Sequence, residues 1–424
     1  MTAGDASIDA LLAYLAASPS PYHASANAAA RLDAAGFRRV ERADEWRDLP
    51  ESAYLVRGGA LVAWRRAAAT AAHAPWRVVG AHTDSPNLRV KPNPDTGALG
   101  WRQIAVEVYG GALINSWLDR DLGLSGRVVL ADASVVLVKV DRAIARVPQL
   151  AIHLDRDVNE RGLVLDKQAH LTPVWGLGSP VAGQFATWIA GLAGVAAADV
   201  RTWDLMFHDL TPPTLLGVDR ELIASARLDN LCSSWCAIEA LVAAPPTTDH
   251  VSVACLFDHE EVGSDSTTGA GGPLLEQVVD RLVAGASGGD TDARHRAMAG
   301  SICVSADMAH SVHPNYGERH EPGHRPLPNG GPVLKINANQ RYATDAETAA
   351  HFIGCCERAG VPHQVFVSRN NMPCGSTIGP ITATRLGIAT VDVGIAQLSM
   401  HSARELCGAA DPTMLVRALT AFYG

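Results

Sequence analysis

The sequence predicts an α/β fold: a mostly parallel central sheet flanked by helices, carried by residues 1–88 and 216–424, with a β-rich domain inserted at 89–215. Three observations lead there. Continuous apolar runs, Trp76-Arg-Val-Val-Gly-Ala and Val251 to Phe257 among them, have the texture of strands covered on both faces. Helical patterns such as Glu347 to Ala359 alternate with them, the rhythm of a helix-covered parallel sheet. From about Asn87 to Val218 the texture changes to short β-rich pieces separated by Gly, Asp and Pro.

Taken in order, Ile8, Leu11, Leu12 and Leu15 recur at helical spacing, and Pro19 and Pro21 end that run. A second helical stretch, Ala24 to Ala35, stops at Gly36. Strand-like Leu61 to Trp64 and Trp76 to Ala81 follow. The insert contributes Ile104 to Tyr109, Gly126 to Leu130 and Val135 to Val140. After Asp219 the pattern reads as one long helix over Leu222 to Ala244, closed by Pro245-Pro246. Strands Val251 to Phe257, Ile302 to Ala306, Val333 to Asn337, Val365 to Val367 and Ala389 to Val393 alternate with helices such as Gly272 to Ala284. Gly285 to Gly289 reads as an exposed loop.

Composition excludes several classes. At 47% hydrophobic and 19% charged the chain is no disordered protein. Its 35 basic against 44 acidic residues give −9, the wrong sign for a nucleic-acid surface. No window approaches the roughly 18 apolar residues of a membrane span, and the start, Met1 to Asp9, lacks the basic region of a secretory signal. The eight cysteines form no C-x-x-C pair, so reduced thiols in the cytoplasm are expected.

Five ligand-type clusters stand at or near expected strand ends: His82-Thr-Asp84, Asp229, Glu260-Glu261, Asp307 and His401. Parallel α/β sheets carry functional groups at the carboxyl ends of their strands. In extended chain Asp84 lies on the same side as His82, where its carboxylate can fix the imidazole tautomer. Asp229 has apolar neighbours and needs a partner if buried. Glu260 and Glu261 reach one site only if the strand has ended; two abutting carboxylates there want a cation or a shared proton. One can bind metal while the other serves as general base. For His310 and His313, ligand, substrate contact and plain loop residue all remain open.

Each cluster alone also reads as ordinary surface or core chemistry. Together they offer two imidazoles and three carboxylates, each from a separate segment, a donor set suited to zinc with a carboxylate bridge. No nucleophilic serine motif, phosphate loop or H-E-x-x-H motif is present, so water is the expected attacker.

These motifs, with Ser18-Pro-Ser-Pro-Tyr-His, Ala151-Ile-His-Leu-Asp-Arg-Asp-Val-Asn-Glu, Ser305-Ala-Asp-Met-Ala-His-Ser-Val-His-Pro, Asn339-Gln-Arg-Tyr-Ala-Thr-Asp, Met372-Pro-Cys-Gly-Ser-Thr and Met400-His-Ser-Ala-Arg-Glu, run nearly end to end in the order found in one family. The chain resembles the aspartyl aminopeptidases, di-zinc exopeptidases that assemble as tetrahedral dodecamers. The resemblance implies a zinc-peptidase catalytic domain and an inserted domain used in dimerisation, the dimers building a dodecamer. It implies two zinc ions per subunit, with cobalt or manganese also compatible with the donors. Asp229 would bridge them, His82 and Asp307 would complete one site, and Glu261 and His401 the other. Glu260 would be the general base and Asp84 the support of His82. His153 would reach a neighbouring subunit's active site, with metal ligation as a secondary role. Lys335 and Tyr342 match substrate-facing positions. Asn371 stands where the family more often has Asp, which removes a charge from a position that bears on specificity or rate.

The resulting expectation is hydrolysis of N-terminal residues from peptides, Asp or Glu preferred, through a metal-bridging water. The rival enzymatic reading is another di-zinc amide hydrolase, a carboxypeptidase or an N-acyl-amino-acid deacylase. A catalytically silent shell-forming assembly protein is the rival from outside enzymology; the presence of Glu260 beside a full ligand set argues against it.

Overall fold

The computed structural model describes residues 7–46 and 49–424; the charge reading of residues 1–6 lies outside them. The chain divides into two compact units. One comprises Met1–Asp84, Pro213–Met400 and Glu405–Gly424; the other comprises Ser85–Pro212 and His401–Arg404.

The first unit is built on nine strands: β1 (Arg38–Arg39), β2 (Ser52–Arg57), β3 (Ala60–Arg65), β4 (Trp76–His82), β5 (Val251–Phe257), β6 (Ile302–Ala306), β7 (Val333–Ile336), β8 (Gln364–Val367) and β9 (Ala389–Gly394). Their order across the sheet is β1-β2-β3-β5-β4-β6-β9-β7-β8. The sheet is mixed. Its centre, β5-β4-β6-β9, is parallel, as are the edge pairs β1/β2 and β7/β8. Pairs β2/β3, β3/β5 and β7/β9 are antiparallel. Every residue of β5 and of β6 is buried, the reason these strands show no polar alternation.

Helices cover both faces. On one, Leu231, Trp235 and Leu241 pack with Leu11, Leu15, Val79 and Leu419. On the other, Leu274, Val278 and Leu282 pack with Trp64, Val78 and Val253. The first two helices are defined by their caps: Ser7 accepts the N–H of Ala10, and Ser20 opens Pro21–Ala34 with proline in the first turn. Pro21 is therefore a helix start rather than a stop, because proline's fixed φ and missing N–H cost nothing at that position.

The long helix expected over Leu222 to Ala244 is two elements. Leu222–Ser225 is a strand paired antiparallel with Glu405–Gly408, and the helix begins at Leu228 after Arg227 in left-handed conformation. A short apolar run fits either structure, and here a partner from far along the chain decides. Helices Thr291–Ala299, Ile378–Leu386 and Asp411–Tyr423 also belong to this unit.

The second unit is β-rich. Its six strands, in the order Val135–Ala145, Leu122–Leu130, Val200–Asp209, Asn87–Thr96, Trp101–Tyr109 and Val174–Leu177, are antiparallel throughout. Leu88, Ile104, Leu124, Phe207 and Phe185 of helix Gln184–Ala193 form its core. All eight cysteines are free thiols. Among the described residues no helix is long and apolar enough to cross a membrane.

Candidate metal centre

Three adjacent parallel strands deliver the candidate groups to one edge of the sheet. Strand β4 ends on His82, in register with Phe257 at the end of neighbouring β5. Beyond Phe257 the chain turns through His259, in left-handed conformation, into a short 3-10 helix carrying Glu260 and Glu261. On the other side of β4, β6 ends at Ala306 and Asp307 follows. Asp229 comes from the opposite direction, in the first turn of helix Leu228–Ala243, where it departs from helical backbone angles. That turn is tied to the sheet: Asn230 Nδ2 donates to Ala306 O at 2.8 Å and Ser234 Oγ to His82 O at 2.7 Å.

His82 is the centre of the cluster. Its Nε2 lies 3.4 Å from Asp229 Oδ1, 3.5 Å from Asp307 Oδ1 and 3.9 Å from Glu260 Oε2. Its Nδ1 is 3.0 Å from the Asp84 carbonyl oxygen and 3.5 Å from Asp84 Oδ1. An Nδ1–H donated to that carbonyl fixes the tautomer and leaves the Nε2 lone pair facing the carboxylates. Two triads have donor atoms within 4.8 Å of one another, His82–Glu260–Asp307 and His82–Asp229–Glu261.

Asp84 does more than face the imidazole. Its two carboxylate oxygens accept the backbone N–H groups of Glu260 at 3.0 Å and Glu261 at 3.1 Å. Glu405 plays a similar part for Asp229, whose N–H it accepts at 2.9 Å.

Burial and the crowding of charged groups set the electrostatics. Burial pushes the Glu260 carboxyl up to about 8; His82 opposes the shift, and Asp307, Asp229 and Asp84 add to it. Burial works against a charged His82 imidazole, yet Glu260 and the contacts with Asp229, Asp307 and Asp84 outweigh it and hold its pKa well above the usual value. One imidazole among so many carboxylates fits a divalent cation, and the imidazole and oxygen donors are those zinc accepts.

The remaining expected residues divide. Lys335, buried on β7, donates to Asp307 Oδ2 at 3.3 Å and to Met308 O at 3.1 Å. Its Nζ lies 5.1 Å from the Tyr342 ring centre. Tyr342 lines a cavity of about 290 Å³ together with His310, Arg319, Arg369, Met372 and Gln397. Asn371 is exposed in a turn beside Arg369. His153 and His401 both fall in the second unit. His153 is exposed in a turn, and His401 Nδ1 is 3.1 Å from Gly111 O.

Sequence reasoning missed four residues around this cluster. Glu405 and Gln397 carried no motif of their own, although Glu405 falls within the quoted Met400-His-Ser-Ala-Arg-Glu. Asp392 lay hidden in the strand Ala389 to Val393; it accepts from Ser305 Oγ, Thr377 Oγ1 and Ala343 N. Arg319 carried no local signal, since an arginine in a loop is ordinary.

Residues 14–423 match the family described as Aminopeptidase I zinc metalloprotease (M18). A probable M18 family aminopeptidase 2 of Streptomyces coelicolor is 58% identical over 98% of this chain and 96% of its own. Among solved structures, a chain of the Ape4 and Nbr1 complex superimposes with a TM-score of 0.93 at 33% identity, over 98% of this chain and 85% of that one. The S. cerevisiae mApe1 dodecamer gives 0.86 at 29% identity, over 98% and 96%. The chain thus belongs to the M18 family of zinc metallo-aminopeptidases.

Proposed function

We propose that this M18 aminopeptidase removes single N-terminal residues from peptides, Asp and Glu by preference, with Glu260 as proton carrier. The observation that carries the reading is the position of Glu260, its Oε2 3.9 Å from His82 Nε2 and its backbone held by Asp84. As a carboxylate held at that position, Glu260 can take a proton from the attacking water and return it to the leaving amine. Zinc held by the cluster around His82 supplies Lewis acidity toward water and the scissile carbonyl.

Two ions per subunit are proposed on the family resemblance; the two donor triads overlap at the single free Nε2 of His82 and by themselves provide for one. Asp229, Asp307 and Glu261 are assigned as ligands with His82, and His401 is carried into the set by the family resemblance alone. Lys335 restrains Asp307 and borders the substrate, together with Tyr342. The preference for acidic residues is supported by the resemblance and by Arg319 and Arg369 in the cavity lined by Tyr342.

Similarity to the S. cerevisiae mApe1 dodecamer supports assembly into a dodecamer; on the family resemblance alone, dimers are its building blocks, the insert serves dimerisation and His153 serves a neighbouring subunit. Eight free thiols accord with a cytoplasmic location.

A hydrolysis panel read by mass spectrometry tests the reading. Peptides differing only in the first residue, with N-acetylated and C-terminally blocked controls, are incubated with metal-replete and chelator-treated enzyme. Loss of one N-terminal residue, fastest for Asp and Glu and stopped by acetylation and chelation, is expected. Cleavage of acetylated peptides, or trimming from the C-terminus, would overturn the reading.

A further inference from the structure

The cavity beside Asp307 has a feature that the metal chemistry does not use. Gln397 lies on strand Ala396–Leu398, paired in parallel with His310, and its carbonyl accepts the N–H of Ser311 at 2.9 Å. Its backbone is thereby fixed. The residue is 1% exposed, and neither Oε1 nor Nε2 of its side chain has a hydrogen-bond partner. A buried amide without partners costs stability, and such groups are rare in native proteins unless something else satisfies them.

That something fits in the cavity Gln397 lines. At about 290 Å³ the space is just under the size of sites for drug-sized ligands, so it suits one side chain rather than a run of peptide. The charge around it is chiefly basic. Arg319 and Arg369 line it with three imidazoles, His310, His313 and His320. The one lining carboxylate, Glu321, accepts the Gly323 N–H through Oε2, which His324 Nδ1 also meets. Tyr342 joins this cavity to the metal centre through Lys335, which touches both its ring and Asp307.

We infer that Gln397 is a specificity-determining residue: its Nε2 donates to the side-chain carboxylate of the substrate's first residue, while the arginines supply the opposing charge. This inference rests on the acidic preference proposed above. An amide is the right group for the task, because it donates to an anion without itself adding or removing charge.

The test compares kcat/KM of the metal-loaded enzyme and its Gln397→Met variant on peptides beginning with Asp, Glu, Asn or Leu and otherwise identical. Methionine keeps the length and volume and removes both polar atoms. A hydrogen bond to a charged group carries about 10- to 100-fold in rate. The variant should lose that much on Asp and Glu peptides while its Leu-peptide rate stays within about 3-fold and its melting temperature does not fall. Gln397→Glu, which places a carboxylate against a carboxylate, should lose more on the acidic peptides and nothing further on the Leu peptide. An equal loss on all four peptides would make Gln397 merely structural and overturn the inference. So would an unchanged ratio of acidic to Leu rates in a wild type that does favour acidic residues, and that result would leave the function reading standing. A wild type indifferent to acidic first residues would overturn both, and a variant effect confined to Asn peptides would overturn the carboxylate assignment.

Discussion

Asp84 accepts the backbone N–H of Glu260 with one carboxylate oxygen and that of Glu261 with the other, at 3.0 and 3.1 Å. One side chain at the end of β4 thereby sets the orientation of a turn 176 residues away, while also lying 3.5 Å from His82 Nδ1. Replacing Asp84 should loosen the imidazole and the two glutamates together. Asp84→Ala is expected to weaken metal affinity by about 10- to 100-fold, the usual cost of losing such an outer partner. Asp84→Asn retains one good acceptor and should fall between. Metal retained on titration with a chelator, measured by mass spectrometry, checks the order.

Glu260 separates binding from chemistry. Glu260→Gln keeps size and hydrogen bonding but cannot carry the proton, so kcat should fall by about 10²- to 10⁴-fold. Metal content should stay near that of the wild type. A variant with full turnover would remove Glu260 from the proposed reaction.

Metal stoichiometry tests His401. Native mass spectrometry of the wild-type subunit should find about two zinc equivalents, and His401→Ala about one. Chelation should lower the melting temperature of the wild type, since a ligand that binds only the folded state stabilises it, and zinc should restore it. An unchanged stoichiometry in the variant would strike His401 from the ligand set.

Asp392 anchors the backbone next to Tyr342, which lines the cavity. It is fully buried and accepts from Ser305 Oγ at 2.7 Å, Thr377 Oγ1 at 2.6 Å and Ala343 N at 2.6 Å. The close approach of Gly379 to its carboxylate leaves no room for a side chain there. Asp392→Leu strands three donors in the interior and should destabilise the fold by roughly 3–5 kcal/mol in urea unfolding. Asp392→Asn, which can still accept, should cost less.

Asp411 should make stability depend on pH. Burial raises its carboxyl to about 6 from a reference of 3.8, against the opposing N–H groups of Asn329 and Gly331. The folded state then holds the proton more tightly than the unfolded one. Its contribution is fully present below about pH 4 and declines as pH rises through 6. The difference of about two units corresponds to roughly 3 kcal/mol. The stability gap between wild type and Asp411→Asn, measured by denaturant unfolding, should shift against the wild type by up to that amount from pH 4 to 7.

Some of this was legible in the residues and some was not. Uninterrupted apolar runs announced β4, β5 and β6, and the polar residues just beyond them were the ones to watch. That these three strands lie side by side is a matter of pairing between distant segments, which periodicity does not encode. The same holds for Leu222–Ser225, read as helix until Glu405–Gly408 pairs with it. Helix Thr291–Ala299 has too few apolar residues to show a clear helical period, only Ala293, Ala297 and Met298 being buried. Gln397 was invisible because a glutamine announces nothing until its surroundings are known to leave it without a partner.

The bond from Asp229 N–H to Glu405 Oε2 also has a consequence during synthesis. The two residues are 176 positions apart, and at ribosomal rates of 5–20 residues per second Glu405 is made roughly 10–35 s after Asp229. Until then the Asp229 turn lacks its anchor. A nascent chain that has not yet reached Glu405 therefore carries most of the proposed ligand residues without this anchor. Completion of the Asp229 turn is thereby tied to synthesis of a segment far along the chain rather than to the helix that carries it.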